Sequence, residues 1–137
     1  HSKRPQVIGI LRALIEGLAK NQDLVTGLWY QVVDKGYLPD NWHDTSGSSM
    51  FLYSIKKAID LGMIDASIYG PVVEKGYKGI ISKAIVNKEG LIDIHDACDG
   101  LCVQNSYSAY IDYPKTVNAK EAVAAFLWAA GIVEKAL

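Results

Sequence analysis

Residues 122–133 read AVAAFLWAAGIV, a helical stretch that is apolar on every side. Such a helix must be buried all round, because each of its faces avoids water. Asn118 is expected to cap the helix, and Glu121 stands where a capping box places its acid. The chain is therefore predicted to end in an inner helix over residues 119–136.

Three further helices are predicted upstream, and they alternate in character. The first, over residues 5–21, and the third, which begins between 66 and 71 and ends near 85, are apolar on one side only. The second, over residues 46–61, has little polar face in its first half and begins at a cap supplied by Asp44 or Thr45. Inner helices are thus expected to alternate with outer ones.

The connections between the helices alternate as well. Residues 22–44 and 86–117 are long connections, whereas residues 62–65 form a short turn. Both long connections enter an inner helix, so in an antiparallel stack they are expected to lie at the same end. Residues 26–32, TGLWYQV, resemble residues 89–95, EGLIDIH, which indicates a repeated unit. Repeats of paired helices indicate a toroid or solenoid, which needs about three or more units, and only two are present here.

Glycines interrupt the third helix at Gly76 and Gly79. In an exposed helix each costs about 1 kcal/mol relative to alanine. The pair either weakens this helix or permits a close helix contact.

Composition excludes several classes of protein. The chain has 137 residues, a formal net charge of −1 and 50% hydrophobic residues, which predicts one ordered domain over residues 1–137. Scattered Lys and Arg give no footprint for nucleic acid or for an anionic membrane. The longest apolar stretch has 12 residues, whereas a membrane span needs about 20. The polar residues 1–5 do not resemble a signal peptide and lack an initial Met, so the N-terminus gives no indication of the compartment.

Neither a metal nor a cofactor is predicted. Cys98 and Cys102 are interpreted as free thiols, because one pair is too few for a disulfide framework. With His95 they suggest zinc, but their spacing does not fit common zinc fingers and no fourth ligand is evident. The sequence also lacks a glycine-rich phosphate loop, a nucleophile elbow and a His-Glu-x-x-His motif.

The strongest candidate site is the stretch NWHDTSGSS at residues 41–49, which runs from a long loop into an inner helix. Trp42 can stack on a sugar ring, and His43 and Asp44 are titratable groups suited to acid–base work. From Thr45 onward, small residues let another group approach the helix end, where free N–H groups favour an anion. The alternative is that Asp44 and Thr45 simply cap the helix.

Aromatic residues on the two long loops extend this candidate site. In the stretch Trp29-Tyr30-Gln31, the large aromatic residues line a cleft, or one of them packs under the loop. Tyr107, Tyr110 and Tyr113 recur every three residues and act either as sugar platforms or in loop packing. The predicted substrate-binding residues are Trp29, Trp42, His43, Asp44, Thr45, Ser46 and Tyr107.

The same motifs carry a resemblance to a known family. Residues 26–34, TGLWYQVVD, resemble a segment of the unsaturated rhamnogalacturonyl hydrolases, glycoside hydrolase family 105, which is related to the family 88 unsaturated glucuronyl hydrolases. Residues 41–51, NWHDTSGSSMF, are similar to that family's stretch of Trp, acid, Thr-Ser, small residues and Met-Phe. Residues 97–100, 107–114 and 118–127 follow its closing segment in order.

The resemblance implies an all-α fold, the last two hairpins of a six-hairpin (α/α)6 barrel, with short extended segments in the long loops. It further implies action on unsaturated uronyl oligosaccharides derived from pectin. In that family an aspartic acid protonates the C4=C5 enol ether and water adds at C5, after which the hemiketal opens and expels the partner sugar. This general acid is expected upstream of residue 1, so no residue here is assigned a catalytic role and the chain alone is expected to be inactive.

Two positions depart from the family pattern. Tyr113 stands where the family commonly has Arg, and Ala119 stands where it commonly has Asp. Both bear on substrate specificity. A rival interpretation is a non-catalytic helical-repeat module that binds a protein partner or a glycan. Beyond an oligosaccharide, the expected partners are a second copy of the chain or the missing N-terminal part of the barrel.

Overall fold

The computed structural model of the chain describes residues 2–134. That part of the chain forms five helices, four short strands and one 3-10 turn, which are α1 (Arg4–Lys20), the 3-10 turn (Val33–Lys35), α2 (Thr45–Asp60), α3 (Ala66–Ile81), β1 (Ala84–Val86), β2 (Ile92–Ile94), β3 (Ala97–Cys98), α4 (Tyr107–Ile111), β4 (Lys115–Thr116) and α5 (Lys120–Glu134). The four predicted helices are confirmed. Helix α3 ends earlier than predicted because β1 follows it, and the end of the predicted last helix lies outside the described residues.

Helix α2 lies between α3 and α5 and packs against both. Its side chains Leu52, Ile55 and Ala58 are buried in the main core. Burying a leucine or isoleucine side chain of this kind contributes about 1.5–3 kcal/mol. The prediction that α2 is an inner helix is therefore confirmed.

Helix α5 packs on α2 through a face of small residues. Ala122, Ala125 and Ala129 are buried beside Phe126. The opposite face is open, since Leu127 is 62% and Trp128 is 65% exposed. The expectation that this helix is buried all round is wrong for the chain described here, because α5 has neighbours along one side only. No helix among residues 2–134 is long and apolar enough to cross a membrane.

Helix α1, like α5, is buried on only part of its apolar surface. Ile15 and Leu18 are buried, whereas Val7, Ile10 and Leu14 on the predicted apolar stripe are exposed. The covered half of the stripe lies toward the C-terminal end of the helix, where α1 joins the core. The stripe was predicted correctly, but only part of it has a partner.

Two small antiparallel sheets lie within the second long connection. Strand β1 pairs with β2, with Ala84 opposite Ile94, and β3 pairs with β4, with Cys98 opposite Lys115. These are the short extended segments expected in the loops. Helix α4 was not predicted, because five residues are too few to show a helical period.

The glycines of α3 serve close packing. A Cβ atom built on Gly79 would lie 2.5 Å from the carbonyl oxygen of Thr26 and 2.9 Å from Leu28 Cδ2. A Cβ on Gly76 would lie 3.3 Å from Leu52 Cδ1. Of the two alternatives for these glycines, the structure shows the close approach, although at Gly79 the neighbour is an extended segment rather than a helix.

Asn118 does not cap α5 as predicted. Its backbone has a φ of +60°, and its side-chain oxygen accepts the N–H of Ile94 at 2.8 Å. Its amide nitrogen donates to Asp93 Oδ1 at 2.7 Å. The side chain therefore ties the start of α5 to β2, a long-range contact that competes with the local cap.

Candidate functional site

An antiparallel pairing of two extended segments forms the base of the site. The N–H of Gln31 donates to the carbonyl of Trp42 at 2.7 Å, and the N–H of Asp44 donates to the carbonyl of Trp29 at 3.1 Å. Tyr30 lies opposite His43, and their rings stack with centroids 4.1 Å apart. Side chains alternate along an extended chain, so Tyr30 and His43 point to one side of the pair. The side chains of Trp29, Gln31, Trp42 and Asp44 point to the opposite side.

Asp44 joins the first long loop, helix α2 and the second long loop. Its carboxylate accepts the N–H groups of Ser46 at 3.2 Å and Gly47 at 2.8 Å, as an N-cap does. It also accepts the Ser46 hydroxyl at 2.7 Å and the N–H of Cys98 at 2.9 Å. Both long connections therefore meet at the N-terminus of α2, which confirms their predicted placement at one end.

The N-terminus of α2 does not offer free N–H groups to an anion. Besides the two groups bound by the Asp44 carboxylate, the N–H of Thr45 donates to the carbonyl of Asp96 at 2.9 Å. The N–H of Ser48 donates to the carbonyl of Asp44 at 3.0 Å. The expectation of an anion site at this helix end is wrong, because the chain itself satisfies those donors.

A cavity of about 440 Å³ opens beside this junction. Its wall is formed by both long loops and by the starts of α2 and α5, and it includes Gln31, Asp44, Ser46, Met50, Cys98 and Glu121. Most of the surface of the wall is apolar. A site with an apolar wall and a few polar groups suits a ligand that has both hydroxyl groups and C–H faces.

Four of the predicted substrate-binding residues are buried, and two of these, Trp29 and Thr45, do not line the cavity. Trp29 is 1% exposed, and its Nε1 donates to the carbonyl of Leu18 at 2.7 Å. Thr45 has no exposed surface, and its hydroxyl donates to the carbonyl of His95 at 2.7 Å. The expectation that these two side chains face a sugar is therefore corrected, because both are in use as packing and cross-linking groups. Of the alternatives for Trp29 and Tyr30, it is Trp29 that packs under the loop.

His43 lies on the side of the extended pair away from the cavity. Its Nε2 is 3.1 Å from Asp23 Oδ2 and 3.3 Å from Thr26 Oγ1. Burial lowers the pKa of His43 below its ordinary value, against the opposing effect of Asp23. Burial opposes ionisation of Asp23 as well, but hydrogen bonds from the Thr26 hydroxyl and from two backbone N–H groups lower its pKa. Neutral His43 and ionised Asp23 thus form a hydrogen-bonded pair that links the two ends of the first long connection.

The stability of the chain is expected to fall as the pH drops below the ordinary histidine pKa of 6.5. Because the folded-state pKa of His43 is lowered, the unfolded chain binds this proton more readily. The stabilising effect is therefore present above the unfolded pKa and is lost as the pH falls toward the folded one. Urea denaturation at a series of pH values measures this effect. In His43→Gln the slope between about pH 7 and 5 should become smaller, and an unchanged slope would contradict the assignment.

Trp42 and Tyr107 lie where the two long loops meet. The Trp42 Nε1 donates to the carbonyl of Ile111 at 3.3 Å, and the Tyr107 hydroxyl donates to Asp40 Oδ1 at 2.8 Å. Partial burial and this bond raise the pKa of Tyr107 to about 12, so its hydroxyl stays protonated at neutral pH. Both rings remain partly exposed. With Asp44 and Ser46, which line the cavity, they remain predicted substrate contacts.

The cavity also includes residues that were not among the predicted substrate-binding residues. The amide of Gln31 donates to Cys98 Sγ at 3.4 Å, and burial raises the pKa of this thiol, which makes it a weak nucleophile at neutral pH. The Oε2 atom of Glu121 is buried without a hydrogen-bond partner among the described residues. Glu121 was expected to complete a capping box, and nothing in its spacing indicated a cavity. Cys102 is exposed, and both cysteines are free.

Comparison with known proteins places the chain in a family. The family model of Glycosyl Hydrolase Family 88 matches residues 1–137. The chain is similar to a glycoside hydrolase from family 105 of C. acetobutylicum ATCC 824, with a TM-score of 0.91 and 31% identity over 98% of this chain and 39% of that one. It is similar to a possible member of the GH105 family from Klebsiella pneumoniae, with a TM-score of 0.78 and 24% identity over 98% of this chain and 33% of that one. The 24.9 kDa protein in picA locus of Rhizobium radiobacter is 40% identical over 53 residues, which are 39% of this chain and 22% of that protein.

The helical layout, the two long loops at one end and these matches define a helical barrel fold of the glycoside hydrolase class. The chain belongs to Glycosyl Hydrolase Family 88, and its helices form part of an (α/α)6 barrel. It spans well under half the length of the C. acetobutylicum structure and of the Rhizobium protein that it matches.

Proposed function

We propose that the chain forms the C-terminal part of a glycoside hydrolase that acts on unsaturated uronyl oligosaccharides of the pectin-derived type. Its contribution is part of the wall of the sugar cavity. The observation that carries this proposal is the cavity of about 440 Å³ at the junction of the two long loops, in which Asp44 and Ser46 take part. These two residues belong to the stretch that resembles the family's Thr-Ser motif.

The reaction proposed for the whole protein is hydration of the C4=C5 enol ether. A proton adds to C4 and water adds to C5, after which the hemiketal opens and the glycosidic bond breaks to release the partner sugar. The proton donor is proposed to lie in the missing part of the barrel. Asp44 is an unsuitable donor, because its carboxylate already accepts hydrogen bonds from Ser46, Gly47 and Cys98.

The residues of this chain are proposed to hold the substrate. Ser46 and Gln31 line the cavity with polar groups that also hydrogen-bond within the chain, while Met50 and Phe51 supply apolar surface for the C–H face of a sugar. Trp42, fixed by its hydrogen bond to Ile111, offers an aromatic ring beside the cavity. Holding the substrate in a productive orientation lowers the entropic part of the barrier, and this requires a cavity closed on all sides.

The ultraviolet absorbance of the unsaturated sugar provides the test. The isolated chain should leave this absorbance unchanged, because general acid catalysis, typically worth about 10²–10⁴-fold, is missing. In the whole protein, Trp42→Ala should lower kcat/KM by about tenfold without unfolding the protein, since ring stacking on a sugar is lost. Trp42→Phe keeps a ring and serves as the matched control. Turnover by the pure chain, or equal kinetics of the Trp42→Ala variant and the natural protein, would overturn the proposal.

The exposed apolar residues of α1 and α5 support a proposal about partners. Val7, Ile10 and Leu14 on α1, and Leu127 and Trp128 on α5, leave apolar surface in water. Contiguous patches of more than a few hundred Å² on a soluble chain mark interfaces. The isolated chain is therefore expected to self-associate where the rest of the barrel would otherwise pack. Light scattering should show the average mass rising with concentration, and Trp128→Glu should reduce this rise. A monomer at every concentration would contradict the proposal.

A further inference from the structure

A lysine lies over the ring of Trp42. Lys115 Nζ is 5.6 Å from the centroid of the Trp42 ring, within the range of a cation–π contact. The ring itself is held by the bond from its Nε1 to Ile111. An aromatic surface and a positive charge are thus placed together in the part of the structure where the two long loops meet.

Strand pairing puts this lysine next to the cavity. Lys115 in β4 is the direct partner of Cys98 in β3, and Cys98 lines the cavity. Directly opposed residues in an antiparallel pair project their side chains to the same face. Trp42 likewise projects to the same side of its extended pair as Gln31, which donates to the Cys98 thiol. Lys115 and Trp42 are therefore placed at the rim of the cavity, on the Cys98 side.

The charges of the rim and of the cavity differ. The cavity wall contains the carboxylates of Asp44 and Glu121 but neither lysine nor arginine. Lys115 is exposed, and no carboxylate among residues 2–134 lies within 4 Å of its Nζ. Asp96, whose pKa Lys115 helps to lower, already pairs with Lys83 at 2.6 Å. An anionic group is thus disfavoured inside the cavity and favoured at the rim.

We propose that Trp42 and Lys115 form a subsite for a carboxylate-bearing sugar, a uronate unit of the oligosaccharide, while the cavity beside them takes a neutral sugar. Trp42 contacts the apolar face of the uronate ring, and the Lys115 ammonium donates to its carboxylate. A lysine ammonium has three N–H donors, so the contact with the ring leaves donors for the ligand. The proposal rests on the proposed function, because it assigns the acidic part of that substrate to particular residues.

Galacturonic acid and galactose are suitable probes, because they differ only in a carboxylate against a hydroxymethyl group. Each is titrated into the ¹⁵N-labelled chain, and the dissociation constant is read from the amide and indole signals. At low salt, galacturonate should bind about three- to tenfold more tightly than galactose, as expected for one charge-assisted hydrogen bond. The preference should shrink in high salt, because an exposed charge pair is screened.

Three variants test whether Lys115 is the source of the preference for galacturonate. Lys115→Gln should abolish the preference for galacturonate while leaving galactose binding unchanged, whereas Lys115→Arg should retain the preference. Lys57→Gln is the matched control, because Lys57 is an exposed lysine roughly 18 Å along α2 from the helix start. Removing it takes away the same charge without touching the rim.

The outcomes separate this inference from the proposed function. If galacturonate and galactose bind equally, or if Lys115→Gln keeps the preference, the inference is overturned and the sugar site stands. If the preference falls equally in the Lys57→Gln control, general charge explains it and the inference is overturned as well. If neither sugar shifts any signal, both the inference and the proposed sugar contacts of this chain fail.

Discussion

Replacing Asp44 by alanine is expected to lower the free energy of unfolding by about 2–4 kcal/mol. The carboxylate caps α2 through the N–H groups of Ser46 and Gly47, and the loss of a cap alone costs about 0.5–2 kcal/mol. It also accepts the N–H of Cys98, which would be left buried without a partner, at a further cost of about 1–3 kcal/mol. Urea denaturation followed by circular dichroism measures the difference.

Asp65 provides the matched control. It caps α3 by accepting the N–H of Ser67 at 2.8 Å and the Ser67 hydroxyl at 2.7 Å, but it is exposed, and its carboxylate accepts no hydrogen bond from another segment within residues 2–134. Asp65→Ala should therefore cost only about 0.5–1 kcal/mol. If the two variants lost equal free energies of unfolding, the contact between Asp44 and the second long loop would contribute nothing to stability.

Helical periods and the order of long and short connections were sufficient to predict the architecture. Leu52 and Ile55 recur at helical spacing in α2, and such a pattern depends mainly on local sequence. The burial of Leu127 and Trp128 depends instead on what packs against α5. Sequence periodicity indicates that one face of a helix is apolar, but it does not indicate which neighbouring element covers that face. For this reason the predicted inner character of α5 failed while its helical state was correct.

The candidate site was predicted only in part, for a related reason. Asp44 and Ser46 were identified because a cap motif followed by small residues is visible in sequence. Gln31 and Glu121 were missed as cavity residues because the first long loop and α5 approach each other only in the folded chain. His43 was misplaced relative to the cavity because alternation along an extended segment sends adjacent residues to opposite sides.

Gly27→Ala is expected to cost more than 3 kcal/mol or to prevent folding. Gly27 has a φ of +75°, and a left-handed backbone costs a residue with a Cβ about 1–2 kcal/mol. In addition, the new Cβ would lie 2.3 Å from the carbonyl oxygen of Lys75 in α3. That contact is with backbone, so neither partner can relieve it by rotating a side chain. Segment 26–28 would have to move away from α3, which would uncover Leu28 in the core.

A variant at Gly90 separates the cost of the left-handed backbone from the cost of the steric contact. Gly90 is suited to this because it is the counterpart of Gly27 in the repeat. Its φ of +78° is nearly the same, but nothing lies within 4 Å of where its Cβ would be. Gly90→Ala should therefore show the backbone cost alone, about 1–2 kcal/mol. The difference between the two variants in urea denaturation then measures the close approach of the first extended segment to α3. If both variants lost the same amount, the 2.3 Å contact would be relieved without cost, and the packing of Gly27 against α3 would be looser than described. If Gly27→Ala alone abolished cooperative unfolding, that contact would be established as a requirement for the fold.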